Sequence, residues 1–225
     1  MKRKIKLIVI ICLAVMFIGK INPLIGLSSN KNTYSTTQNI ETSTYLMLVN
    51  KENPLGLKYE PKNLTKVNID FLSNSTDEEQ YMDKEAAMSI EELFKTAKSE
   101  GINLIGTSAY RSYKTQVKIM NKNIKEKGLD YANNYVALPG KSEHQTGLAI
   151  DVTNEARCFD KTSLEAQWLA NNAYRFGFIL RYPEGKENIT GYNYEPWHVR
   201  YVGKEAAKEI YDKNITLEEY LNKIG

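Results

Sequence analysis

Apolar residues at Ala86, Ile90, Leu93, Phe94 and Ala97 recur at helical spacing and predict a helix from about Asp83 to Glu100, stopped by Gly101. INLIGTS (102–108) is a short apolar run that reads as a strand. Val117, Met120 and Ile124 predict a second helix from Tyr113 to Lys127, ended by Gly128. Thr162 and Glu165 form a capping box for a third helix, which carries Ala166, Leu169, Ala170 and Ala173 inward and ends at Gly177. LMLVN (46–50), GLAIDV (147–152), FILRY (178–182) and WHVRYV (197–202) read as strands, with short helices over 204–211 and 217–224. NPLGLKYEPKNL (53–64), rich in turn residues, reads as an ordered loop. Helices at the front and strands in the middle, without a repeat or a βαβ rhythm, predict an α+β fold.

The N-terminus departs from this pattern. MKRKIKLIVIICLAVMFIGK is a basic cluster followed by an apolar stretch, the pattern of a signal peptide or membrane anchor over residues 1–28. The positive flank places the remainder outside the cytoplasm, exported to the cell surface. Residues 29–44 are polar and read as a flexible linker, which leaves 45–225 as a single folded domain. A chain of 225 residues, 42% hydrophobic and 25% charged, suits one ordinary domain with an appendage.

The net charge of +3 comes from that leader. It holds five basic residues and no acid, so 25 basic residues face 27 acids in the rest. A nucleic-acid partner is therefore not expected. Cys12 lies in the apolar leader, so Cys158 has no disulfide partner in the folded part, and no CxxC motif is present. Cys158 reads as a small core residue.

Both histidines of the chain sit in phrases with carboxylates: SEHQTGLAIDV (142–152) and EPWHVRYVG (195–203). His144, Asp151 and His198 supply two nitrogens and one oxygen, a donor set for catalytic zinc that keeps a fourth position open. Zinc lowers the pKa of its bound water to about 7, and Glu195, three positions before His198, is the candidate general base. In the GLAIDV strand, Leu148 and Ile150 face one side, and Ala149 and Asp151 the other. His144 has the wrong parity for the same strand, so it belongs to a loop with a bend at Gly147. Pro196 makes a kink between Glu195 and His198. The same donors suit a non-haem iron site, and a salt bridge would also satisfy Asp151. Trp197 reads as a core or pocket wall.

Together SAYRSYKTQ (108–116), PGKSEHQTGLAIDV (139–152), FGFILRYP (176–183) and EPWHVRYVG (195–203) resemble the VanY-type D-alanyl-D-alanine carboxypeptidases. These zinc peptidases are related to the D-Ala-D-Ala dipeptidases. LVNKENPLGLKYEPKNL (48–64) adds to the resemblance, which spans roughly 45–212. It implies a small α+β domain with a central antiparallel sheet flanked by helices. It also implies zinc on His144, Asp151 and His198, and Glu195 as catalytic base. Arg111, Gln116, Ser142 and Tyr182 are implied to line the substrate pocket, with Arg111 also catalytic.

The activity implied is removal of the C-terminal D-alanine from peptidoglycan stem peptides. The protein is expected to be a monomer at the cell surface, anchored in the membrane by its N-terminal segment or secreted. Three other readings remain: an L,D-carboxypeptidase acting on tetrapeptide stems, an endopeptidase, and a wall-peptide-binding module without catalysis.

Overall fold

The computed structural model describes residues 44–224 apart from Leu57. The leader (1–28) and the linker (29–44) therefore lie outside the described residues, Thr44 excepted. Among the described residues no helix is long and apolar enough to cross a membrane.

Strands β1 (Leu64–Lys66) and β2 (Tyr81–Asp83) form a small antiparallel ribbon, followed by helix α1 (Lys84–Ser99). Then come β3 (Ile105–Ser108), α2 (Tyr113–Lys127), α3 (Leu129–Tyr135), β4 (Ala149–Thr153) and α4 (Leu164–Asn172). The chain ends with β5 (Phe178–Leu180), α5 (Glu187–Thr190), β6 (His198–Tyr201), α6 (Lys204–Lys213) and α7 (Leu217–Ile224). The main sheet has the order β3-β4-β6-β5, with every neighbouring pair antiparallel. This is the expected α+β class.

Alternation along the strands divides the chemistry between two faces. Leu148, Ile150 and Val152 join Val199, Phe178 and Tyr201 in the main core. Against them α1 presents Ala86, Ala87, Ile90, Leu93 and Ala97, all buried. Each buried Ile or Leu there contributes about 1.5–3 kcal/mol. The opposite face carries Asp151, His198 and Arg200. Asp83 caps α1 by accepting from the Glu85 amide, and Ser112 caps α2 by accepting from Thr115.

Several expectations change in detail. Residues 46–50 are not a strand. The carbonyls of Tyr45 and Met47 accept from Nη2 of Arg200 instead of joining a ladder. The cap of α4 is Ser163, not Thr162, whose hydroxyl and amide both donate to Asp160. Phe94 is only partly buried, and Ala87 fills the seam of α1 in its place. Ile124 is exposed, while Gln116 is buried on α2. Cys158 is exposed too, and the next residue, Phe159, enters the core. The reason is a turn in which Asn154 bonds the backbone amide and carbonyl of Cys158, leaving its side chain outside.

Candidate metal centre and substrate cleft

Pairing of β4 with β6 sets Asp151 directly opposite His198. His144 arrives from a 3-10 turn (Glu143–Thr146) that ends at Gly147 in the left-handed region, φ 73°. A Cβ at Gly147 would stand 2.8 Å from Leu64 Cδ2 and 3.0 Å from the Asp83 amide nitrogen, so only glycine fits there. The expected bend thus turns His144 back toward Asp151. One donor atom from each of His144, Asp151 and His198 lies within 4.8 Å of the others.

Both imidazoles have their outer nitrogens engaged. His144 Nδ1 lies 2.6 Å from the Ala109 carbonyl, which only accepts, so Nδ1 carries the proton and Nε2 is free toward Asp151 at 3.4 Å. His198 directs Nδ1 to Asp151 at 2.8 Å and Nε2 to Glu143 at 3.3 Å. Nε2 of His144, the Asp151 carboxylate and Nδ1 of His198, whose proton a cation would displace, are the donor set that zinc takes in catalytic sites, and the Ala109 carbonyl and Glu143 orient the two rings from outside.

The charges favour a cation. Burial alone would raise the Asp151 pKa, but the two histidines hold it well below the usual carboxylate range. Burial lowers the pKa of His198, yet its hydrogen bonds to Asp151 and Glu143 outweigh that and push it up to about 9. His144 moves the other way, lowered by burial and then by Arg111. A proton held between carboxylates at His198 marks a place where positive charge is favoured.

Glu195 and His198 are joined by a turn through Pro196 and Trp197, closed by the His198 amide donating to the Glu195 carbonyl at 3.2 Å. Both side chains line one cleft of about 220 Å³. Burial pushes the Glu195 pKa up to about 7, against the lowering effect of His198.

Arg111, Gln116, Ser142 and Tyr182 border the same cleft, so every residue singled out from the sequence meets there. Arg111 lies 3.5 Å from Asp151 and donates from Nη1 to Gln116 at 3.2 Å. Gln116 in turn donates to the Ala137 carbonyl at 2.7 Å, so its amide is used in holding Arg111. Nε of Arg111 and the hydroxyl of Tyr192 are buried at the cleft without a protein partner. Trp197 forms an exposed part of the wall.

Sequence reasoning missed Glu143, Arg181, Arg200, Glu218 and Tyr192. Glu143 is buried and accepts from Nε of Arg181 and Nη1 of Arg200, both at 2.7 Å. Burial raises its pKa, but the two guanidiniums overcome this and hold it far below the ordinary range. Arg181 also donates to both oxygens of Glu218 on α7, at 2.9 and 2.7 Å. The available signal was period-two alternation, which puts Arg200 on the same face as His198.

Comparison with known proteins gives consistent results. A family model described as VanY, D-alanyl-D-alanine carboxypeptidase, matches residues 79–204. The Bacillus subtilis (strain 168) protein YodJ is 44% identical over 194 residues, which are 84% of this chain and 70% of that protein. The solved structure of the LdcB LD-carboxypeptidase, described as revealing the basis of peptidoglycan recognition, is 43% identical with a TM-score of 0.74. That match covers 81% of this chain and 87% of the other. A vancomycin resistance D,D-pentapeptidase, VanY from a VanB-type cassette in complex with Zn(II), is 39% identical with a TM-score of 0.67. It is matched over 99% of its length and 79% of this chain.

Proposed function

Because the chain belongs to the VanY family of D-alanyl-D-alanine carboxypeptidases, we propose that it is a zinc enzyme that removes the C-terminal D-alanine from peptidoglycan stem peptides. The observation that carries this reading is the convergence of His144, Asp151 and His198 on a cleft that also holds Glu195 and Arg111.

His144, Asp151 and His198 would hold the metal. Zinc, when bound, supplies a Lewis acid for the scissile carbonyl and lowers the pKa of water to about 7. Glu195 takes the proton of the attacking water and delivers it to the leaving amine. Its raised pKa suits both halves of that task, and a binding module has no need of such a base. Arg111 offers donors to the terminal carboxylate of the substrate, with Gln116 fixing its orientation. Ser142 and Tyr182 complete the wall. The proposed catalytic domain is 45–225, held outside the cytoplasm by the basic and apolar leader.

A second reading, cleavage of tetrapeptide stems as an L,D-carboxypeptidase, is favoured by the likeness to LdcB. Both readings use the same centre. Replacing Glu195 with Ala tests that centre: turnover falls by roughly 10²–10⁴-fold while bound zinc, measured by metal analysis, stays stoichiometric. Loss of zinc along with activity would make Glu195 a ligand or a structural residue instead.

A further inference from the structure

We propose that Glu143 is a positioning residue that fixes the tautomer of His198, and that Arg181, Arg200 and Glu218 lock Glu143 for this purpose. The inference rests on the metal-site reading above and extends it to residues with no direct access to the metal.

The geometry gives each oxygen of Glu143 a different task. Oε1 accepts from Arg181 Nε and Arg200 Nη1, both at 2.7 Å. Oε2 faces His198 Nε2 at 3.3 Å. A carboxylate can only accept, and Nδ1 of His198 faces one as well, Asp151 at 2.8 Å, so without metal both ring nitrogens carry protons; a cation beside Asp151 and His144 displaces the proton of Nδ1, and Glu143 keeps the one on Nε2.

The two arginines do not move freely. Arg181 is fully buried and held by both oxygens of Glu218, which also accepts from Asn50 at 3.2 Å. Arg200 is fully buried and held by the carbonyls of Tyr45 and Met47. The chain preceding β1 and helix α7 therefore both brace one metal ligand. Tyr45, Met47 and Glu218 all lie outside the 79–204 segment that matches the family model.

This arrangement makes the isosteric variant Glu143→Gln informative. Both arginines are obligate donors, so the amide oxygen must take the Oε1 position. Its NH₂ group then points at His198 Nε2, where two donors would face each other. His198 relieves this by giving up the Nε2 proton and keeping the one on Nδ1, where Asp151 accepts it, and that leaves no lone pair there for the metal. Shape and packing are retained while the tautomer is reversed.

The test is zinc affinity by competition with a chromophoric chelator, on full-length wild type and Glu143→Gln, with the melting temperature of each metal-free protein as the fold control. Zinc affinity is expected to fall roughly 10–100-fold in a variant that still melts cooperatively. The ring N–H proton signal of His198 in zinc-loaded wild type, shifted downfield by the carboxylate, is expected to be lost or displaced upfield. A merely structural role would leave that signal in place.

If Glu143→Gln yields too little folded protein, Glu218→Gln replaces it. Loosening Arg181 one step further out is expected to cost about threefold or more in zinc affinity. Unchanged affinity and an unchanged proton signal in a folded variant would overturn the proposal while leaving the metal centre intact. Failure of wild type to bind zinc would overturn the metal centre itself.

Discussion

Arg111 reaches the cleft with its guanidinium tied to Gln116 and facing Asp151. Replacing Arg111 with Ala is expected to raise KM and lower kcat, with kcat/KM falling roughly 10–100-fold, the worth of one or two hydrogen bonds to charge. Unchanged kinetics would take Arg111 out of the substrate's reach. Glu195 sets the acid limb of the pH profile. It works as a base only when ionised, so kcat/KM falls as pH drops through its pKa. That value is about 7 in the metal-free protein, raised by burial, and a bound cation lowers it. The acid limb of the zinc enzyme is therefore expected below pH 7, and a limb lying above that would contradict the assignment. At this scale the sequence revealed the donor set, Glu195 and Arg111, because they sit in dense phrases, but not Tyr192, which lies in a polar loop. It concealed Glu143, although that residue adjoins His144. Its meaning depends on Arg181 and Arg200, 38 and 57 positions away, and only the folded sheet brings them together.

The site depends on two elements, the β4–β6 pairing and the turn before β4. Gly147 is the tightest point of that turn. Gly147→Ala is expected to destabilise by more than the ~1–2 kcal/mol that a left-handed residue costs, because the new Cβ would also press on Leu64 and the Asp83 backbone. A melting temperature equal to wild type would show that the turn relaxes freely. Helices read well from spacing, and the limits expected for α2 and α7 are those observed. Both have clear punctuation: Ser112 and Gly128 around α2, and Thr216, which accepts from the Glu219 amide, before α7. Short apolar runs read less well. LMLVN has the composition of a strand, but its backbone serves Arg200, and a one-dimensional pattern cannot show where a distant guanidinium will be.

At the scale of the whole molecule, the first and last segments of the described residues meet beneath the metal centre. Residues 45–50 and α7 converge on the buried cluster of Glu143, Arg181, Arg200 and Glu218. Metal binding and global stability are therefore coupled. Zinc at 100 times its Kd is expected to stabilise the fold by about 2.7 kcal/mol. Chelation should lower the melting temperature and added zinc should restore it. A melting curve indifferent to zinc would separate the centre from the fold.

The central claim is best tested by incubating the zinc-loaded protein with a mixture of pentapeptide and tetrapeptide stems and reading the products by mass spectrometry, with Glu195→Ala as the control. Loss of one alanine from the pentapeptide, absent in the control, is the predicted result. A tetrapeptide shortened in place of the pentapeptide would contradict D,D-cleavage and move the enzyme to the L,D class. Both stems intact with zinc still bound would contradict the carboxypeptidase account.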